Sequence, residues 1–143
     1  MNPLERFARA LSMTTQLYNS RMGILLGKHD LTPAQFGVLN HIARRGAQGQ
    51  STAEIARAVE VNQPAVTKML QKFERLGWIT WQGQGRGRRV ALSQNGGAAL
   101  GQIIATLGPD HGAQLAGWTE AEILELTQGL ERMAGWYDAH RLD

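Results

Sequence analysis

The sequence predicts a mainly α-helical protein (α+β class) in which a helix-turn-helix is followed by a two-stranded β-hairpin. Three observations support this prediction. Apolar residues recur at helical spacing along most of the chain, two short capped helices follow one another near its middle, and the period then changes to two. The chain has 143 residues and no cysteine. It can therefore bury a core without disulfides, and thiolate catalysis and cysteine metal sites are excluded.

The net charge of +3 conceals an uneven distribution along the chain. Residues 1–31 carry four bases and two acids, residues 32–93 carry nine bases and three acids, and residues 94–143 carry two bases and seven acids. A basic middle segment followed by an acidic segment indicates that the middle faces a polyanion and that the end faces something else.

The composition also bears on where the protein is found. No run of 18 apolar residues occurs, and the N-terminal residues MNPLERFARA lack the pattern of a signal peptide. We therefore expect a cytoplasmic protein.

Two helices are predicted before the helix-turn-helix. Over residues 3–26, apolar side chains recur in steps of three and four, close to a heptad, with more apolar surface than one stripe needs. Such a helix often packs against both its own core and a partner. The next helix has Thr32 as N-cap, Pro33 at its first position and Gln35 to complete a capping box, and Gly46 ends it.

The helix-turn-helix is predicted from Ser51 to Gly77. Ser51 and Glu54 form a second capping box, and a short helix runs to about Val59. A tight turn follows, and Asn62 is the N-cap of a helix with one apolar and one polar face. The apolar face consists of Val66, Met69, Leu70, Phe73 and Leu76, and the polar face of Gln63, Thr67, Lys68, Gln71, Lys72 and Arg75. Amides and cations pair with base edges and phosphates, although a solvated surface helix has the same general pattern.

A β-hairpin is predicted after this helix. Ile79 and Trp81 alternate with polar residues, as do Val90 and Leu92, and residues 83–89 between them contain three glycines and three arginines. The arginines indicate a polyanionic partner; the alternative is a mobile loop whose charges only aid solubility. No Gly-Lys-Ser/Thr follows, so this glycine pattern is not that of a phosphate-binding loop.

Two further helices are predicted at the C-terminal end. The first begins at Ser93, and Gly108-Pro109 is expected to kink or break it. The second has Thr119 as N-cap and runs to about Tyr137 with a broad apolar face. A last helix this apolar, together with the surplus apolar surface of the first helix, favours a dimer interface.

Three stretches of this sequence resemble one known family. They are LTPAQFGVLNHI (31–42), STAEIARAVEVNQPAVTKMLQKFERLGWI (51–79) and VALSQNG (90–96). Together they are similar to the MarR-type winged helix-turn-helix transcriptional regulators. The resemblance implies a winged helix-turn-helix with N- and C-terminal dimerisation helices and a two-stranded β-wing. Residues 1–31 would be the N-terminal dimerisation helix, residues 32–93 the DNA-binding lobe, and residues 94–143 the C-terminal dimerisation helices.

The resemblance also implies a function. It predicts a homodimer that binds a pseudo-palindromic operator in double-stranded DNA, with recognition helices in major grooves and wings at minor grooves, and with repression as the expected outcome. The residues predicted to bind DNA are Ser51, Thr52, Asn62, Gln63, Thr67, Lys68, Gln71, Lys72, Arg86, Arg88 and Arg89. The family usually has an aspartate two residues before the wing-tip arginine, where Gln84 stands here. Arg88 or Arg89 is therefore expected to share the role of Arg86.

Members of this family often bind small aromatic or phenolic effectors. Tyr18, Arg21, His29, Phe36 and His41 could line such a pocket here, the alternative being that the aromatic residues are core and Arg21 is solvated. The four histidines show no metal-ligand spacing, and no nucleophile motif is visible. We therefore predict no cofactor, no metal and no enzymatic activity. The competing function is a winged-helix protein-interaction module that does not read DNA.

Overall fold

The computed structural model describes residues 1–142 and shows the predicted order of helices and strands. The helices are α1 (Pro3–Gly27), α2 (Pro33–Arg45), α3 (Thr52–Val59), α4 (Gln63–Arg75), α5 (Gln94–Gln114) and α6 (Glu120–Ala139), and the strands are β1 (Ile79–Gln82) and β2 (Arg89–Leu92). Short 3₁₀ turns at Gly46–Gln48 and Gly85–Gly87 complete the secondary structure. The winged helix-turn-helix fold class is therefore confirmed, and no helix within residues 1–142 is long and apolar enough to cross a membrane.

Capping residues fix the start of most helices, as the sequence predicts. Reciprocal capping boxes join Thr32 to Gln35, Ser51 to Glu54 and Thr119 to Glu122. Asn62 caps α4 by accepting a hydrogen bond from the Ala65 backbone N–H at 2.8 Å.

The chain forms two compact units, Met1–Thr106 and Leu107–Asp143. In the first unit, the apolar sides of α2, α3 and α4 and the inward residues of the hairpin form one core. Its buried apolar side chains are Met22, Leu26, Leu31, Val38, Leu39, Ile42, Ile55, Val66, Leu70, Phe73, Ile79, Val90, Ala91, Leu100 and Ile103. The three-segment division at residues 31/32 and 93/94 stays a prediction.

The hairpin is antiparallel, with Trp81 opposite Val90 and Gln82 opposite Arg89. A third segment joins it, because Gln50 pairs with Val90 in an isolated antiparallel bridge. The Gln50 N–H donates to the Val90 carbonyl at 3.1 Å, and the Val90 N–H donates back at 2.8 Å. The loop that enters α3 therefore lies against the base of the hairpin.

Two sequence expectations differ from the structure. Of the kink or break predicted at Gly108-Pro109, the break is wrong, because α5 continues through Pro109 to Gln114. A proline removes only one backbone donor, and the next turn continues the helix with the Leu115 N–H bonded to the His111 carbonyl at 3.3 Å. Leu76 was expected on the apolar face of α4, but it is 47% exposed because the helix ends at Arg75 and Leu76 is its C-cap.

Candidate nucleic-acid interface

The outer face of α4 is polar and exposed, while its inner face is fully packed. Val66, Leu70 and Phe73 are buried and fix the helix on the core. The side chains on the opposite side are exposed; they are Asn62, Gln63, Thr67, Lys68 and Gln71. This spacing leaves a row of amides, a hydroxyl and an ammonium group on a rigid helix, which is the chemistry needed to contact base edges and phosphates.

The N-terminus of α3 lies beside this face. The Ser51 hydroxyl accepts a hydrogen bond from the Glu54 N–H at 3.2 Å, so its oxygen serves the cap. Thr52 follows as the first residue of α3 and is half-buried. The predicted DNA-binding residues at this end of α3 are therefore held in place by the capping box.

A cleft of about 540 Å³ separates the outer face of α4 from the wing. Its lining combines the start of α3, the outer face of α4 and the hairpin, through Thr52, Ala53, Gln63, Thr67, Leu70, Gln71, Glu74, Trp81, Gly85, Arg86 and Arg88. The structure thus brings six of the predicted DNA-binding residues together around one concavity. Among the other lining residues are Glu74 and Trp81, which the sequence reasoning did not assign to this site.

The three wing arginines have different surroundings. Arg86 is exposed in the 3₁₀ turn at the tip, and within residues 1–142 no ion pair holds it. The Arg88 guanidinium carbon lies 3.7 Å from the centroid of the Trp81 ring, which is a cation–π contact. Arg89 is half-buried and turns toward the other side of the hairpin base, where it forms an ion pair with Glu54 at 3.2 Å.

Lys72 also bonds to its own lobe. Its ammonium group donates to the backbone carbonyl of Asp30 and, at 3.2 Å, to the side-chain oxygen of Gln35. The Asp30 carboxylate lies 3.6 Å away. Lys72 therefore ties α4 to the α1–α2 connection, and its predicted DNA contact would compete with these bonds. No local sequence signal indicates these bonds, because Asp30 and Gln35 lie 42 and 37 residues before Lys72 in the chain.

Comparison with known proteins agrees with this geometry. Residues 29–89 match the sequence profile of the MarR family. An uncharacterized HTH-type transcriptional regulator from Bacillus cereus is 34% identical over 99 residues, which are 69% of this chain. The matched region spans 63% of that relative's length.

This chain belongs to the MarR family.

Two solved structures illustrate how far the similarity to MarR proteins extends. A mutant MarR from E. coli, crystallised in complex with operator DNA, is 27% identical; the alignment covers 92% of this chain and 96% of that chain, with a TM-score of 0.69. A MarR family protein from Bacillus stearothermophilus is 18% identical with a TM-score of 0.82, covers 96% and 99% of the two chains, and shows the fold alone. MarR proteins are transcriptional regulators, so the prediction that this chain is not an enzyme is confirmed.

The residues predicted to line an effector pocket differ in exposure and in the contacts they make. Tyr18 and Arg21 are exposed on α1, and Phe36 is half-buried on α2. His29 lies between α1 and α2, and its Nε2 is 3.0 Å from the Thr106 hydroxyl. The cleft beside α4 contains none of the five predicted residues. The effector pocket therefore stays a prediction in this MarR-family chain.

The structure perturbs the titration of His41. Burial, and then the positive charge of Arg44, lower the pKa of His41 below its ordinary value of 6.5. Its Nε2 is buried and has no hydrogen-bond partner within residues 1–142. The imidazole is therefore neutral at pH 7. The same described residues contain no cluster of three or more His, Asp or Glu side chains that could hold a metal ion.

Proposed function

We propose that this chain is a sequence-specific transcriptional regulator that binds double-stranded DNA as a homodimer on a pseudo-palindromic operator. The observation that carries the proposal is the cleft between α4 and the wing, where exposed amides and hydroxyls face Arg86 and Arg88 across one concavity. Family membership and the operator DNA bound by the E. coli MarR mutant support it.

The polarity of this face favours DNA over a protein partner. Protein-interaction surfaces have exposed apolar anchors at their centre. Here Gln63, Thr67 and Gln71 line the cleft from α4, and the apolar residue that joins them, Leu70, is 2% exposed. The α4 side of the cleft therefore offers no exposed apolar anchor to an interaction module.

Dimerisation is supported by apolar side chains left exposed on the first and last helices. On α1 these include Leu4, Phe7 and Leu17, and on α6 they include Leu124, Leu126, Leu130, Trp136 and Tyr137. A groove of about 390 Å³ on the second unit is lined in part by two such residues, Leu126 and Leu130. Exposed apolar patches of this kind mark protein–protein contacts. We propose that a second copy of the chain covers them.

The finer parts of the predicted function extend this proposal. The regulator would act in the cytoplasm, repress transcription where its operator overlaps a promoter, and respond to a small aromatic or phenolic effector. Isothermal titration with benzoate would test the effector site, since His41→Ala and Arg21→Ala should both weaken the binding. Unchanged heats with these variants would exclude the predicted pocket.

DNA binding is tested by fluorescence anisotropy with a palindromic duplex selected from a random pool, titrated with salt. Recognition helices of a two-fold dimer need half-sites about 34 Å apart. In a dimer, Arg86→Ala/Arg88→Ala removes four phosphate contacts and should reduce the log–log salt slope by about 3.6. Arg44→Ala/Arg45→Ala is the matched control, because these exposed residues at the end of α2 carry the same charge outside the cleft.

Three results would refute the proposal. The wild-type affinity could be independent of salt, the wing and control variants could change the slope equally, or no duplex could be enriched from the pool. Sedimentation velocity tests the dimer separately, since Leu126→Glu/Leu130→Glu should yield monomers whereas Glu131→Gln on the same helix should not. A monomeric wild type would contradict the homodimer.

A further inference from the structure

Arg89 is the most extensively bonded arginine of the wing. Its Nε donates to the Gln48 carbonyl at 3.0 Å, and its Nη2 donates to the Gly49 carbonyl at 2.8 Å. Nη1 and Nη2 also donate to the two carboxylate oxygens of Glu54 at 3.3 and 3.2 Å. A guanidinium has five N–H groups, so these four bonds leave one. A bidentate phosphate contact, which needs two parallel N–H groups, is therefore unavailable to Arg89.

The bonds of Arg89 join the wing to the loop before α3 and to α3 itself, whose first residues line the cleft. Gly49 has a φ of +68°, and a Cβ at this position would lie 2.9 Å from the Val90 carbonyl oxygen. The absence of a side chain lets the loop approach the strand closely enough for Arg89 to reach two of its carbonyls. On the other strand, the Gln82 side-chain N–H₂ donates to the Ala47 carbonyl at 3.2 Å.

Glu54 occupies an unusual place for an acid in a DNA-binding lobe. It belongs to the capping box of α3, two residues after Thr52 at the edge of the cleft. An unpaired carboxylate there would repel phosphates. Its ion pair with Arg89 neutralises this charge and, at the same time, links the start of α3 to β2.

We propose that Glu54 and Arg89 form a positioning pair that sets the wing relative to the recognition helix, and that Arg89 does not itself contact DNA. This inference rests on the proposed function. Arg86 and Arg88 precede Arg89 on the same short hairpin, so the pair determines where those two cations stand relative to α4. The three arginines then divide into two that face DNA and one that orients them.

The test replaces the pair without changing the net charge. Glu54→Gln/Arg89→Met removes one acid and one base, and glutamine keeps the capping box of α3. The matched control is Glu74→Gln/Arg88→Met, which removes one acid and one base from the cleft lining itself. Both proteins are titrated with salt against the duplex selected by the wild type, at a temperature where their circular dichroism spectra match the wild type.

The positioning role predicts a loss of affinity with an unchanged salt slope for Glu54→Gln/Arg89→Met. Removal of an exposed ion pair should lower the affinity for DNA by about two- to fivefold for each protomer. The control should reduce the slope by about 1.8 for a dimer, because each protomer loses one phosphate contact. Matching spectra separate this effect from a purely structural role, which would lower the melting temperature without weakening DNA binding of the folded protein.

Two outcomes overturn the inference. A slope for Glu54→Gln/Arg89→Met that falls as far as that of the control would show that Arg89 contacts a phosphate. Affinity equal to the wild type would show that the pair does not position the wing. Absence of wild-type binding to any duplex would instead refute the proposed function.

Discussion

Trp81 should control the affinity of the wing for DNA through Arg88, without touching DNA itself. The ring lies 3.7 Å from the Arg88 guanidinium carbon and so holds this arginine against β1. Trp81→Leu removes the aromatic face and leaves the positive charge of Arg88 intact. We therefore expect weaker binding caused by a less ordered cation rather than by a lost one.

The size of the effect follows from the contact. A cation–π interaction at an exposed site contributes about 0.5–1 kcal/mol, which is a factor of about two to five in affinity. In a homodimer both wings lose the contact, so the dissociation constant should rise about 5- to 30-fold. Because the charge is retained, the log–log salt slope should stay at the wild-type value, whereas Arg88→Ala should reduce it by about 1.8.

The assay is anisotropy with the selected duplex over a range of salt concentrations. Trp81→Phe is the control, because phenylalanine keeps an aromatic face and because the indole Nε1 of Trp81 has no hydrogen-bond partner within residues 1–142 to lose. Urea unfolding establishes that each variant is folded under the binding conditions. The reasoning would be refuted by a Trp81→Leu slope as low as that of Arg88→Ala, or by a dissociation constant equal to that of the wild type.

Two further predictions concern stability. Since the pKa of His41 is lower in the folded chain than its ordinary 6.5, the unfolded chain binds the extra proton first, and stability should fall as the pH drops below about 6.5 and stay level above it. Urea unfolding at pH 5.5 and 7.5 checks this, and His41→Gln should reduce the difference; an unchanged difference would assign it to other groups. Gly96→Ala should cost about 3 kcal/mol, because a Cβ there would lie 2.0 Å from the Trp78 carbonyl oxygen. The neighbouring Gly97 has no atom within 4 Å of such a Cβ, so Gly97→Ala should stabilise α5 by about 0.5–1 kcal/mol, and equal effects of the two substitutions would contradict the packing argument.

The local features of this fold could be predicted from the sequence because their partners lie three residues apart. Thr32, Ser51 and Thr119 each bond to the N–H of a Glu or Gln three positions later, and that spacing is visible in the residues themselves. The hairpin could also be predicted from the sequence, since period-two alternation and a glycine-rich tip are local signals.

The features that could not be predicted depend on contacts between residues far apart in the sequence. Lys72 has the spacing of an outward-facing cation on α4, yet it bonds to Asp30 and Gln35. Arg89 belongs to a basic run, yet its donors are taken by residues 35 to 41 positions earlier. The intrinsic preference of proline predicts an interruption of the helix at Pro109. Tertiary context overrides such preferences when only one backbone hydrogen bond is lost.

The bridge between Gln50 and Val90 has a consequence for protein engineering. Because the entry loop of α3 pairs with the second strand, the hairpin is not a detachable module that ends at residues 79 and 92. A chimera that exchanges wings between MarR proteins should transfer residues 46–54 together with the hairpin. Grafts limited to the hairpin would leave the receiving loop mismatched with its new strand and would aim the grafted arginines in a direction that neither parent uses.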